Sequence, residues 1–332
     1  MKLSVRITLW ALCALLILLT PFVISSPQIL EDARWEITEL LDDESGWFRL
    51  FNTACAEEWE DAAPAYELPF DTTPGMKPNP ACYTENGYED DSISVRIESI
   101  ADTKVTWQIA WVTIASPTQL RTAFWGKNVK SDKTGYVTKM AEKNNAVVAM
   151  NGSRYSTQKE AHTFEVRMTS VRQTKLNNKR DILITDENGD FHLFIQSKGA
   201  DTFEKDTGHK IINAMMFGPA LVKDGEVLKV PSNYLYNPSG QEPRAAIGQV
   251  DKLTYVMVIA DTLGDRTGKK GVTHQELADY MAQLGCTQAY NLDGGNSAIL
   301  VFNGRIINHK AQERDLTDII YFATAIPEEA WK

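Results

Sequence analysis

The sequence predicts an α+β fold: a strand-rich, mixed-sheet domain with a few helices, preceded by an N-terminal membrane segment. Three observations carry that prediction. From Tyr88 onward, short apolar runs bounded by turn residues outnumber helical patterns. One helix with legible ends, between Thr273 and Gly285, interrupts them. At the N-terminus, Lys2 and Arg6 precede a charge-free apolar run from Ile7 to Ile24.

Taken in order, residues 1–26 read as a signal anchor or a signal peptide. Positive charge ahead of the apolar run places the remainder outside. The expected location is therefore the cell membrane, single-pass with an extracellular domain, or secretion if the segment is cleaved. Leu30, Ala33, Ile37, Leu40 and Leu41 recur at helical spacing, as a stalk helix would. Residues 57–91 are acidic and broken by Pro64, Pro69, Pro74, Pro78 and Pro80. Residues 27–87 thus read as a juxtamembrane helix and connection, and residues 88–332 as the folded domain, expected to fold without what precedes it.

Within that domain, Ser92 to Ile97 and Thr106 to Ile114 read as paired strands, Tyr136 to Lys143 as a helix, and Ala146 to Met150 as a buried strand ending at Asn151-Gly152. Ile182 to Thr185 and Phe191 to Ile195 flank Glu187-Asn188-Gly189-Asp190 as a hairpin. Met215 to Val222 is followed by the turn Lys223-Asp224-Gly225-Glu226, and strands are expected to dominate from there to the helix. Thr273 and Glu276 have capping-box spacing; Leu277, Tyr280, Met281 and Leu284 form an apolar stripe; Gly285 suits the left-handed position after the helix. Gln288 to Leu292 and Ala298 to Phe302 are strands, and Asn303-Gly304 turns the latter back through Arg305 to Ile307.

The net charge of −10 over 332 residues, with no basic stripe, argues against nucleic acid as a partner. Four cysteines and five scattered histidines show no zinc-ligand spacing. Cys13 lies in the apolar segment and Cys286 reads as a buried side chain. Cys55 and Cys82 are the pair that could form a disulfide, which sequence leaves open.

The stretch Asn291-Leu292-Asp293-Gly294-Gly295-Asn296-Ser297 places a carboxylate and two glycines between two apolar strands. If Ala245 to Gln249 and Leu253 to Ile259 pair as a hairpin, Arg244 lies nearly opposite Ile259, at the end from which Asp261 emerges. If the strands ending at Ala260 and Leu292 are parallel in one sheet, Asp261 and Asp293 share its carboxyl edge, where such sheets bind ligands. Asn151 follows a strand and could join them. Singly, each is as well explained as a turn, cap or surface ion pair. Together they describe a site for an anionic substrate.

These residues carry a resemblance. "NLDGGNSAILVFNGRIIN", preceded by "GVTHQELADYMAQLGCTQAY", is similar to the signature of the phosphodiester glycosidase family, the family of the uncovering enzyme. "VVAMNG" ending at Gly152, "FGPALVKDGE" from Phe217 and "PRAAIGQ" from Pro243 match its pattern in order, so the resemblance spans about Tyr88 to Ile326. The chain departs from the pattern at Ser153-Arg154-Tyr155, where the family commonly has a second glycine and aromatics. It departs again at Asn296-Ser297-Ala298, where a third glycine and two serines are common.

The resemblance implies hydrolysis of the bond between a sugar's anomeric carbon and a phosphate oxygen, in a sugar-phosphate or glycan substrate. Such chemistry needs a carboxylate at the sugar and charge stabilisation at the phosphate. Asp293 is the first choice for the carboxylate and Asp261 the second; Arg244 is expected to hold the phosphate. Asn151, Gly152, Asn291, Gly294, Gly295 and Ser297 would shape the site or orient sugar hydroxyls, with His162, Arg167 and Arg266 within reach. The sequence requires no cofactor and leaves room for a divalent cation on the aspartates. The competing readings are a non-catalytic glycan-binding or exopolysaccharide-assembly protein and a metal-dependent phosphodiesterase cleaving the P–O bond.

Overall fold

The structure, a computed structural model, describes residues 66–153, 164–262, 268–308 and 313–331. Strands β1 (Gly87–Asp90) and β2 (Ile93–Ala101) form a hairpin, and β3 (Thr106–Ile114) returns beside β2. Strand β4 (Leu120–Phe124) leads to helix α1 (Val137–Lys143) and β5 (Val148–Asn151). Then come β6 (Phe164–Arg167), β7 (Ser170–Thr174), β8 (Ile182–Asp186), β9 (Phe191–Phe194), α2 (Phe203–Thr207) and β10 (Ile211–Met216). Strands β11 (Ala220–Lys223) and β12 (Glu226–Val227) form a hairpin, as do β13 (Arg244–Asp251) and β14 (Thr254–Asp261). Helix α3 (His274–Gln283), β15 (Gln288–Leu292), β16 (Leu300–Phe302), β17 (Arg305–Ile306) and β18 (Asp318–Phe322) follow.

These strands build one eight-stranded sheet, β1-β2-β3-β14-β13-β15-β11-β12, and two five-stranded sheets, β7-β6-β10-β8-β9 and β17-β16-β5-β18-β4. The main core lies between the large sheet and both small ones: Val112, Ile247, Met257, Ile259 and Leu292 from the first pack with Leu183, Met215, Met150, Leu300 and Ile320 from the others. Each outer face has its own cover. Val137, Met140 and Ala141 of α1 pack on β5 and β18, and Phe203 of α2 packs on Val166, Ile184 and Ala214. Helix α3 lies on the large sheet, where Trp107 stacks on Tyr280 at 3.7 Å between ring centres. Its ends are as expected: Thr273 and Glu276 close a reciprocal capping box, and Gly285 follows with φ +84°.

The strand-rich character with few helices matches the prediction. Strands β14 and β15 run the same way in one sheet, but β13 lies between them and is antiparallel to both. The expected run Met215 to Val222 is divided. It ends β10 in one sheet and starts β11 in another, and Phe217-Gly218-Pro219 crosses between them. Between β12 and β13 the chain is irregular where strands were expected.

The folded body also reaches further back than Tyr88. Leu68 is 3% exposed and joins the core under α1. Gly75 and Met76 donate backbone N–H groups to Asn144 and Thr324. Arg121, fully buried, donates Nη1–H to the carbonyl of Pro69 and Nη2–H to those of Asp71 and Thr73; its remaining N–H groups reach Thr118 O and Tyr321 Oη. The prolines therefore mark an irregular strap built into the domain, because its carbonyls satisfy a buried charge. The anchor (residues 1–26), the stalk (residues 27–43) and Cys55 lie outside the described residues. Among the described residues no helix is long and apolar enough to cross a membrane.

Candidate active site

Strand ends from all three sheets meet at one edge, called here the mouth. In the large sheet it holds the carboxyl ends of β14 and β15 and the amino ends of β13 and β11. The pairings Arg244 with Ala260, Ala245 with Leu292 and Ala220 with Tyr290 fix this. In the small sheets, Leu300 pairs with Met150, Ile319 with Asn151 and Ile182 with Met216. The starts of β16, β18 and β8 therefore lie level with the ends of β5 and β10. The segment after Asp293 crosses from the large sheet to β16 at this edge.

That crossing is tightly held. Gly295 donates its N–H to Pro243 O at 2.7 Å, and a Cβ on Gly294 would lie 2.7 Å from the same oxygen, so a side chain there would push the loop off β13. Gly295 has φ +56° and opens a short 3-10 turn through Ser297. Asn151, fully buried, clamps the crossing. Its Nδ2 donates to Asp293 O at 2.7 Å and to Gly152 O at 3.0 Å, and its Oδ1 accepts from Ile299 N at 3.1 Å. With both Nδ2 protons committed, Asn151 positions the loop instead of offering a donor to a sugar. Asn291 donates Nδ2–H to Gly218 O at 2.9 Å and its backbone N–H to Pro219 O, joining β15 to the β10–β11 crossing. Ser297 is buried, with Oγ 3.5 Å from Arg314 Nη1. Asp293, Gly294 and Gly295 remain half-buried in this otherwise closed surrounding.

Arg244 departs from its expected role. It is 2% exposed, and all five of its N–H groups are spent: on the carbonyls of Val272, Tyr236, Asn237 and Gly240, and on His274 Nε2 at 3.0 Å. It gathers the irregular chain between β12 and β13 around itself and presents no open donor to a phosphate. His274, fully buried, accepts from Arg244. Burial, and next the arginine's charge, depress its pKa to about 3, so it is neutral across the physiological range.

Asp261 shares the edge with Asp293. Side chains alternate along β14, so Asp261 belongs with Ile259 and Met257 on the core face, and it is 3% exposed. Arg167 is also committed. It pairs with Asp318 Oδ2 at 2.8 Å and spends its other donors on Ser153 Oγ and the carbonyls of Val166 and Ala214. Gly152 belongs to the same knot, since a Cβ there would lie 2.4 Å from Asp318 Cγ. Arg266, His162, Arg154 and Tyr155 lie outside the described residues. Asp186, Glu187 and His209 bring ligand atoms within 4.8 Å of one another, but Asp186 ends β8 at the end away from the mouth.

Sequence reading overlooked Arg180, Tyr236 and Asp318. Arg180 is 5% exposed; its Nη1 donates to Tyr236 Oη, and its guanidinium carbon lies 4.7 Å from that ring's centre. Tyr236 stacks on Phe217 at 4.2 Å. Burial raises the Tyr236 pKa, the Arg180 charge opposes the rise, and the negative charge of Asp293 adds to it, so this tyrosine lies within the field of both. The usable signal was a charged residue just before an apolar run, as in Arg180-Asp181-Ile182 and Asp318-Ile319-Ile320. Strands that begin at the mouth, β8 and β18, carry charged residues to it as much as strands that end there.

Comparison with known proteins follows the same lines. The Phosphodiester glycosidase family model matches residues 144–323, more than half of the chain, from Asn151 through Asp293 to Asp318. A solved structure of similar fold is the zebrafish N-acetylglucosamine-1-phosphodiester alpha-N-acetylglucosaminidase catalytic domain, described as auto-inhibited by its pro-peptide. It has a TM-score of 0.56 and 14% identity over 75% of this chain and 87% of that one. A hypothetical protein from Synechocystis aligns with a TM-score of 0.49 and 13% identity over 70% of this chain and 62% of that one. The SPbeta prophage-derived uncharacterized protein YomE of Bacillus subtilis (strain 168) is 30% identical over 110 residues, 32% of this chain and 17% of that protein's length. The match takes in the clamp, the Asp-Gly-Gly crossing and the arginines of the mouth together, and on that footing the chain belongs to the phosphodiester glycosidase family.

Proposed function

We infer that this chain is an exported glycosidase that hydrolyses the bond between a sugar's anomeric carbon and phosphate in a sugar-1-phosphodiester of a cell-surface or extracellular glycan. The observation that carries the reading is Asp293. It is a half-buried carboxylate on a glycine loop that Asn151 and Pro243 hold rigidly at the edge where all three sheets open. Family membership supports the reaction class. In the step proposed, the C1–O bond breaks and its electron pair leaves on the phosphate oxygen. A water oxygen bonds to C1, and its proton passes to a carboxylate or to solvent. Asp293 stabilises the oxocarbenium-like carbon, attacks it or activates the water. Phosphate is a good leaving group, so charge neutralisation matters more there than protonation. The charge-free segment after Arg6 supports export.

Product analysis on a sugar-1-phosphodiester tests the reading. Free sugar plus a phosphomonoester is expected. Sugar phosphate plus alcohol would indicate the phosphodiesterase instead, and turnover abolished by a chelator would add a divalent cation. Binding without turnover would indicate a glycan-binding module. Asp293→Asn keeps the shape and removes the charge. It should lower kcat by about 10³-fold or more, roughly the loss of one strong transition-state contact. A folded variant with near-parental turnover would remove Asp293 from the reaction.

A further inference from the structure

Among the described residues four arginines are buried: Arg121, Arg167, Arg180 and Arg244. A guanidinium carries five N–H donors, and withdrawing it from water is costly unless they are met. Arg121, Arg167 and Arg244 each meet theirs with carbonyls, hydroxyls, a carboxylate or an imidazole. Arg180 does not. Its one side-chain hydrogen bond runs from Nη1 to Tyr236 Oη. Among the described residues its buried Nε–H has no acceptor, and no carboxylate forms an ion pair with it. Its backbone is fixed, with the N–H on Asn177 O and the carbonyl accepting from Ser197 Oγ. The neighbouring Asp181 carboxylate offers no pairing, because it accepts from the backbone of Gln196 and Ala220.

The place of this charge matters as much as its state. Arg180 stands just before β8, whose Ile182 pairs with Met216, and the chain after Met216 is the crossing that holds Asn291. Tyr236 accepts from the guanidinium and lies within the field of the Asp293 carboxylate. A buried guanidinium with open donors at the edge that carries Asp293 has the chemistry to bind an anion.

We propose that Arg180, and not Arg244, binds the phosphate of the substrate, a phosphate mono- or diester, with Tyr236 lining that subsite. This rests on the glycosidase reading for the identity of the substrate; the anion site itself rests on the geometry alone.

Thermal unfolding of the full chain, titrated with inorganic phosphate against chloride at matched ionic strength, is the test. Phosphate should raise the melting temperature of the parent and leave that of Arg180→Gln unmoved, with Arg180→Lys restoring part of the shift. Without phosphate, Arg180→Gln should melt no lower than the parent, since it removes an unmet charge. With a sugar-1-phosphodiester, its KM should rise on the order of tenfold to a hundredfold, as for loss of charge-assisted hydrogen bonds. A phosphate shift surviving in Arg180→Gln, a parental KM, or a loss of stability as large as that of Arg244→Gln would each overturn the proposal. Arg180-dependent phosphate binding in a parent that turns over no sugar-1-phosphodiester would sink the enzyme reading and leave the anion site standing.

Discussion

Arg121 and Arg180 are both buried guanidinium groups, and they are used in opposite ways. Arg121 lies beneath the strap of residues 69–73, and carbonyls and one hydroxyl take every donor it has. Arg180 lies at the mouth with one hydrogen bond to a tyrosine. Burial by itself therefore does not distinguish a structural charge from a functional one; the tally of satisfied donors does. A met charge holds segments together and is destabilising to disturb. An unmet one is held for something that arrives later.

The largest effect expected from this contrast is at the strap. Deleting residues up to Gly87 removes three of the carbonyls around Arg121, the Leu68 side chain, and the Tyr83 ring that packs against Phe302 at 5.4 Å. An orphaned buried charge alone is worth about 3–5 kcal/mol, a large part of a domain's stability. Thermal melting of the truncated chain should show loss of the cooperative transition. Unchanged melting would mean that the strap is dispensable.

Arg244→Ala comes next. It frees the carbonyls of Tyr236, Asn237, Gly240 and Val272 and should reduce stability by roughly 2–4 kcal/mol in denaturant unfolding. Phosphate binding by the folded fraction should persist. Loss of phosphate binding at unchanged stability would reverse the roles given to Arg244 and Arg180.

His274 sharpens the contrast through pH. In the unfolded chain it titrates near its ordinary value of 6.5, whereas burial beside Arg244 lowers its folded value to about 3. Between those limits the unfolded state binds the extra proton, so stability falls as pH falls from 6.5 towards 3, with a slope approaching about 1.4 kcal/mol per pH unit. His274→Gln should flatten that part of the stability–pH curve, read from unfolding midpoints at several pH values. An unchanged slope would mean that His274 is not the group responsible.

The smallest effect is at the end of α3. Gly285→Ala places a side chain at φ +84° and should lower stability by about 1 kcal/mol, with phosphate binding unaffected.

The sequence by itself determined what depends on neighbours along the chain. Thr273 and Glu276 cap α3, Gly285 ends it, and Asn303-Gly304 turns β16 into β17, because capping boxes and left-handed turns are decided within a few residues. The Asp-Gly-Gly crossing and its strand-edge setting were legible for the same reason, with the β13–β14 hairpin placing Arg244 one residue from its expected register partner. The tertiary structure alone decided which charges are met. Nothing near Arg244 in sequence says that the chain between β12 and β13 folds over it. Nothing near Arg121 says that a strap some 50 residues earlier in the chain supplies its acceptors. Donors and acceptors pair in space across long sequence separations, so a buried arginine reads the same in a sequence whether its N–H groups are all taken or still open.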